Sequence, residues 1–226
     1  MGERRAGAGL RQEIFARFPN SLSGVFVFPR LLTKALHSIT PKERIPMAAK
    51  YLHYSYDQLN NFCMDAFQKF GFSESEARII SDVLLLSDLY GIESHGMQRL
   101  VRYHKGIEKG MIDVHAKPEI VHETPVSAVI DAHDAMGQLV SHQAMELAIA
   151  KAKKVGMAIV SVRNSNHFGI AGYYAKMACD QGLVGMAMTN SEAIMVPTFG
   201  RMAMIGSNPI ALAVPAEPYP FFFDAS

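Results

Sequence analysis

From Ser55 onward the apolar residues Leu59, Phe62, Cys63, Ala66, Phe67 and Phe70 recur at helical spacing, and Gly71 stands where a C-terminal cap belongs. Ser73 followed by Glu76 forms a capping-box pattern ahead of Ala77, Ile80, Val83 and Leu84, with Gly91 closing this second helix. A third helix is predicted with Ser94 as its N-cap, Leu100, Tyr103, His104, Ile107 and Met111 on one face, and Gly110 at its end. The period then changes. Val126 to Asp131 reads as a strand, Gln143 to Lys154 as a helix stopped by Gly156, and Met157 to Val162 as a continuously apolar strand. Ile170 to Gln181 reads as a helix ended by Gly182. Val184 to Met188, Ile210 to Val214 and Phe221 to Phe223 follow as strands separated by Gly, Pro and Asn turns.

Two regions follow, helical over 47–115 and α/β over 116–226. With 226 residues and 49% apolar content the chain can build a substantial core. A net charge of +1 gives no footprint for nucleic acid. No apolar run reaches the roughly 18 residues that span a bilayer, so no membrane association is expected. Cys63 and Cys179 are far apart, each inside a helical pattern, which points away from a disulfide framework and towards a reducing compartment. Residues 1–46 differ from the rest: eight basic residues against three acidic give them a net charge of +5. They read as a basic leader, disordered or foreign to the mature protein. A cytoplasmic location is expected, or a mitochondrial one if the leader is a genuine transit peptide, although its three Glu count against that.

Candidate chemistry sits in three places. In Ser94-His95-Gly96-Met97-Gln98-Arg99, a Ser94 cap would put His95 and Arg99 one turn apart on one helical face, with Gly96 leaving room beside them. A helix N-terminus there favours a carboxylate and lowers the histidine pKa. Arg offers a planar fork for the carboxylate, and His exchanges a proton near neutral pH. An i,i+4 pair on an exposed helix is also commonplace, so spacing alone leaves both readings open. Asn164-Ser165-Asn166-His167-Phe168-Gly169 follows a strong strand, where α/β layers place ligands; a plain turn whose Asn and Ser side chains satisfy backbone groups is the competing reading. Thr189-Asn190-Ser191-Glu192, also after a strand, could grip a cofactor or form a polar turn. No Gly-x-Gly-x-x-Gly follows a strand, there is no Walker loop, and neither His-Glu-x-x-His nor Cys-x-x-Cys occurs. No metal site is expected.

The set Ser94-His95-Gly96-x-x-Arg99 with Tyr103 and Gly110, Gly137 before a helix, Arg163-Asn164-x-Asn166-His167, Thr189-Asn190-Ser191, Ile205-Gly206-x-Asn208-Pro209 and Asp224-Ala225-Ser226 resembles, in order and spacing, the malate/L-lactate dehydrogenase family of NAD(P)H-dependent oxidoreductases. Its members include 2,3-diketo-L-gulonate reductase, ureidoglycolate dehydrogenase and sulfolactate dehydrogenase. The resemblance implies an α/β, non-Rossmann fold with a mixed, largely antiparallel sheet, preceded by a helical N-terminal region. It implies NAD or NADP as cofactor, a small 2-oxo or 2-hydroxy carboxylic acid as substrate, and a homodimer. His95 and His167 resemble the family's catalytic histidines, either being the acid/base, and Arg99 its carboxylate anchor. Asn190, Ser191, Phe223, Asp224, Ala225 and Ser226 resemble its dinucleotide site. Hydride would pass to the substrate carbonyl while a histidinium supplies the proton. Relatives run on for a hundred residues or more, so the α/β region is expected to be incomplete at its C-terminus. The competing reading is a truncated, inactive homologue that acts only through protein association.

Overall fold

The computed structural model describes residues 51–225 and the dipeptide Phe28–Pro29, which pairs as strand β1 antiparallel to β2 (Tyr51–Leu52). The rest of the leader and Ser226 lie outside the described residues. Helices α1 (Tyr56–Lys69) and α2 (Glu74–Leu89) both start in complete capping boxes, Ser55 with Gln58 and Ser73 with Glu76. Each box satisfies two backbone N–H groups that a helix start leaves unpaired. Their apolar stripes meet: Cys63, Ala66 and Phe67 of α1 bury against Ala77, Ile80 and Leu84 of α2. Helix α3 (Leu100–Glu108) adds Leu100 and Tyr103 to this core, and Met136, from beyond the helical stretch, completes it.

The third helix departs from the expected start. Two short 3-10 turns, Glu93–His95 and Met97–Arg99, precede α3, and Ser94 makes no cap. A Ser94 cap would have bonded the Met97 N–H, the third helical amide after it. That amide is taken instead by the Asp88 carboxylate, Met97 N–H donating to Oδ2 at 2.8 Å. Regular α-helix begins only at Leu100.

Beyond α3, β3 (Glu119–Glu123), β4 (Ser127–Asp131) and β5 (Ile159–Arg163) form one sheet in that order, β3–β4 antiparallel and β4–β5 parallel. Helix α4 (Gly137–Val155) makes the crossover between the parallel pair, as such pairs require. It starts at Gly137 rather than Gln143, and Ser141-His142 lies inside it. β3 has no alternation to betray it, since all five residues are exposed. A second, wholly antiparallel sheet holds β6 (Gly185–Met188), β7 (Ile210–Val214) and β8 (Phe221–Ala225). The small side chains Ala171 and Ala175 of helix α5 (Ala171–Cys179) bury against Ala211 and Ala213 of β7. Among the described residues the mixed, largely antiparallel sheet expected from the resemblance is divided into two three-stranded sheets, one mixed and one antiparallel, beside the β1–β2 pair. Among the described residues no helix is long and apolar enough to cross a membrane.

Candidate active site

The loop after β5 is built by its amides. Asn164 takes φ +51°, a conformation Asn tolerates better than most residues, and its Nδ2 donates to both oxygens of Asp131 at 2.9 and 3.0 Å. Arg163 Nε donates to the same carboxylate at 2.9 Å. These bonds, led by Asn164, hold the Asp131 carboxyl below its usual range. Asn166 donates to the carbonyls of Asp134 and Ala135. Asn166 thus satisfies backbone groups, as the turn reading expected, whereas the Asn164 side chain bonds a carboxylate; both tie down the loop that carries His167. Gly137 presses on the same loop: a Cβ there would lie 2.3 Å from the Asn166 carbonyl oxygen and 2.5 Å from that of His167.

His95 and His167 come together. Their rings stack with centroids 5.3 Å apart and planes 28° from parallel. His95 is half-buried, and Ser94 Oγ contacts its Nδ1 at 2.9 Å. Arg99 Nε donates to the Ser94 carbonyl at 2.5 Å, which fixes the base of the guanidinium beside the imidazoles. His95 and Arg99 therefore lie close together, though through two 3-10 turns and not along one α-helical face. Burial first, then the Arg99 charge, lowers the His95 pKa, while Asp224 opposes them. The cause is desolvation and neighbouring cations rather than a helix N-terminus. Burial with Arg99, His95 and Arg102 takes His167 down to about 3.

Tyr103 joins the site from α3. Its hydroxyl lies 2.8 Å from His167 Nδ1, and the Gly169 N–H donates to the same nitrogen at 3.3 Å. A backbone N–H needs a lone pair to donate to, so the neutral ring carries its proton on Nε2. That leaves Nε2–H to meet a ligand. Helical periodicity read Tyr103 as a core residue; it is that as well, being 1% exposed. The extra signal was its polar end, since a buried phenol hydroxyl needs a partner. Replacing Tyr103 by Phe is expected to keep the fold and to lose one hydrogen bond, about 1 kcal/mol. Nitrogen-15 spectra of His167 should then change from one Nε2–H tautomer to a mixture; an unchanged spectrum would contradict the assignment.

Of the expected dinucleotide residues, Asp224 is turned inward. It accepts from the Gly172 N–H at 2.7 Å near the start of α5, and its charge acts on His95. Phe223 and Ala225 are exposed on β8 and Asn190 on the loop after β6. Ser191 is tied to the 206–208 turn: its N–H donates to Asn208 Oδ1 at 3.0 Å and its hydroxyl meets that of Ser207 at 3.3 Å. Ser226 lies outside the described residues. Among the described residues no group of three or more His, Cys, Asp or Glu could hold a metal ion.

The family model described as malate/L-lactate dehydrogenase matches residues 54–226. The chain belongs to this family. A malate dehydrogenase of Pyrococcus abyssi is 48% identical over 174 residues, covering 77% of this chain and 48% of that protein. An L-sulfolactate dehydrogenase of Methanocaldococcus jannaschii is 44% identical over 161 residues, covering 71% of this chain and 47% of that protein. The solved structure of malate dehydrogenase from Pyrococcus horikoshii superposes with a TM-score of 0.73 at 47% identity, covering 75% of this chain and 49% of that one. The chain spans about half the length of the relatives it matches. All three alignments are long enough to take in most of the helical and α/β elements of this malate/L-lactate dehydrogenase homologue.

Proposed function

We propose that the protein reduces a small 2-oxo acid to the 2-hydroxy acid, with NADH or NADPH as reductant, at the site formed by His95, His167 and Arg99. The observation that carries this reading is the stacked imidazole pair with a guanidinium anchored beside it. Arg99 would take the substrate carboxylate in a two-pronged, charge-assisted contact. The imidazoles would face the adjacent carbonyl, His167 through Nε2–H because its Nδ1 is committed to Tyr103 and Gly169. The names of the relatives support a substrate with a second anionic group, a carboxylate or a sulfonate.

The donor set suits a dinucleotide. Hydroxyls of Ser191 and Ser207 and the amides of Asn190 and Asn208 offer hydrogen bonds to phosphate or carboxamide, and Phe223 offers an exposed apolar face. When bound, the reduced nicotinamide would supply the hydride. The protein's own part is to orient the acid, polarise its carbonyl and deliver a proton. A homodimer and a cytoplasmic location go with this proposal.

Proton delivery makes a signed prediction. In the free site both histidine pKa values lie below normal, and a bound anion raises them, so ligand binding takes up a proton. The KM for oxaloacetate should therefore rise with pH above about 3, the free-site value of His167, and level off once pH passes the higher histidine value of the complex. NADH oxidation by the full chain, with oxaloacetate and separately with pyruvate, tests the function. Turnover with oxaloacetate supports it. No turnover with either acid, in a chain that folds, contradicts it.

A further inference from the structure

The two 3-10 turns that carry His95 and Arg99 meet at Gly96, and what holds that junction comes from elsewhere. Asp88, in the last turn of α2, reaches across to it. Its Oδ2 accepts the Met97 N–H at 2.8 Å, and its Oδ1 fills the space where a side chain on residue 96 would begin. A Cβ there would lie 1.8 Å from Oδ1 and 2.2 Å from the carboxyl carbon. Gly96 has φ −84°, outside the left-handed region, so what a side chain there would meet is the Asp88 carboxylate, which would have to leave Met97 to make room. Met97 is held at its other end too, its side chain packing against both the Leu59–Leu85 pair and the main helical core. Met97 lies between the two ligand-facing residues, two positions after His95 and two before Arg99.

From this geometry we propose that Asp88 is a positioning residue of the active site: by holding the Met97 amide it fixes the break between the two turns, and with it the placement of His95 and Arg99 against His167. The proposal rests on the reading of those three residues as the ligand-binding set. It also explains a buried carboxylate whose Oδ1 has no hydrogen-bond partner. Such a group is kept at a cost to stability, and it sits where it sets the geometry of the site. Glu93 on the first 3-10 turn and the Cys63 thiol on α1 are the titratable groups facing it. Burial first, with Glu93, raises its pKa to about 6, while the Met97 N–H opposes the rise.

The test uses the full chain and two substitutions. In Asp88→Ala the Met97 amide should exchange hydrogen about tenfold faster or more, the ratio for loss of roughly 1.4 kcal/mol of local protection. The His95 ring resonances should move much further than those of His167, whose ring is held by Tyr103 and Gly169 and feels only the change in its stacked neighbour. Asp88→Asn keeps an acceptor for Met97 and should return both signals to near wild type. A purely structural role would move both histidines alike, or neither, and either outcome overturns the proposal. Should Asp88→Ala fail to fold, the wild type reads the same contact: the Met97 amide must be protected from hydrogen exchange by its bond to Asp88, and exchange at the unprotected rate overturns the proposal. These readouts need no turnover. A chain inactive on every 2-oxo acid would therefore sink the functional reading and leave this one standing.

Discussion

Replacing His167 by Gln is expected to lower kcat for 2-oxo acid reduction by about 10²–10⁴-fold, the usual contribution of a positioned proton-transfer group. Stability should barely change. The ring is held at Nδ1 by Tyr103 and Gly169, and the Gln carbonyl oxygen can accept in its place. Gln also keeps a donor near the position of Nε2, so the loss reports proton chemistry more than the loss of a contact. Arg99 is untouched, and KM should move much less than kcat. Steady-state kinetics beside a melting curve separate the outcomes. Turnover within a fewfold of wild type would show that the ring takes no part in the reaction.

Replacing Gly137 by Ala is expected to destabilise the fold strongly, against what helix propensity says. Gly137 opens α4, and Ala is favoured over Gly inside helices by about 1 kcal/mol. The added methyl would press on the backbone carbonyls of Asn166 and His167 at 2.3 and 2.5 Å. Neither is a flexible side chain that can swing away. Overpacking against well-packed surroundings costs about 1–3 kcal/mol and sometimes more, and contacts this short belong at the upper end. A loss of about 3 kcal/mol corresponds to a Tm drop of roughly 6–12 °C for a domain of this size. Relief would come by moving the His167 loop away from α4, so site geometry should suffer with stability. A Tm at or above wild type would mean that propensity wins and the close approach is soft.

Asp88 adds a pH signature to stability. Its pKa is raised in the folded state, so it favours the fold below the unfolded value near 3.9, and that advantage is lost as pH rises through about 6. Asp88→Asn lacks this dependence.

What the sequence made legible was local. Ser73 and Glu76 announced α2 because a capping box needs only residues three apart, and Ile210–Val214 emerged with its observed limits between Pro and Asn turns. His95, Arg99 and His167 stood out by motif, yet the geometry that brings the two imidazoles together did not. The expected α-helical start at Ser94 failed because Asp88, nine positions before Met97, takes the Met97 amide. No window-based period can report such a contact. β3 escaped because a strand exposed along its whole length lacks the alternation that marks a half-buried one. Tyr103 was visible as a core position but not as the partner of His167, 64 residues away. Asp224 was expected among dinucleotide contacts, but its bond to the Gly172 N–H at the start of α5, 52 residues away, was not legible.

The most direct test of the account titrates the chain with oxalate, a small non-reacting dianion, while following histidine and arginine side chains by NMR. The His95 and His167 ring signals should shift together and saturate at one concentration. Arg99→Met should weaken that binding by about 10–100-fold, as expected for a charged hydrogen bond worth roughly 1.5–3 kcal/mol. Oxalate binding that leaves both rings unmoved, or that survives Arg99→Met undiminished, would contradict a carboxylate site shared by these three residues.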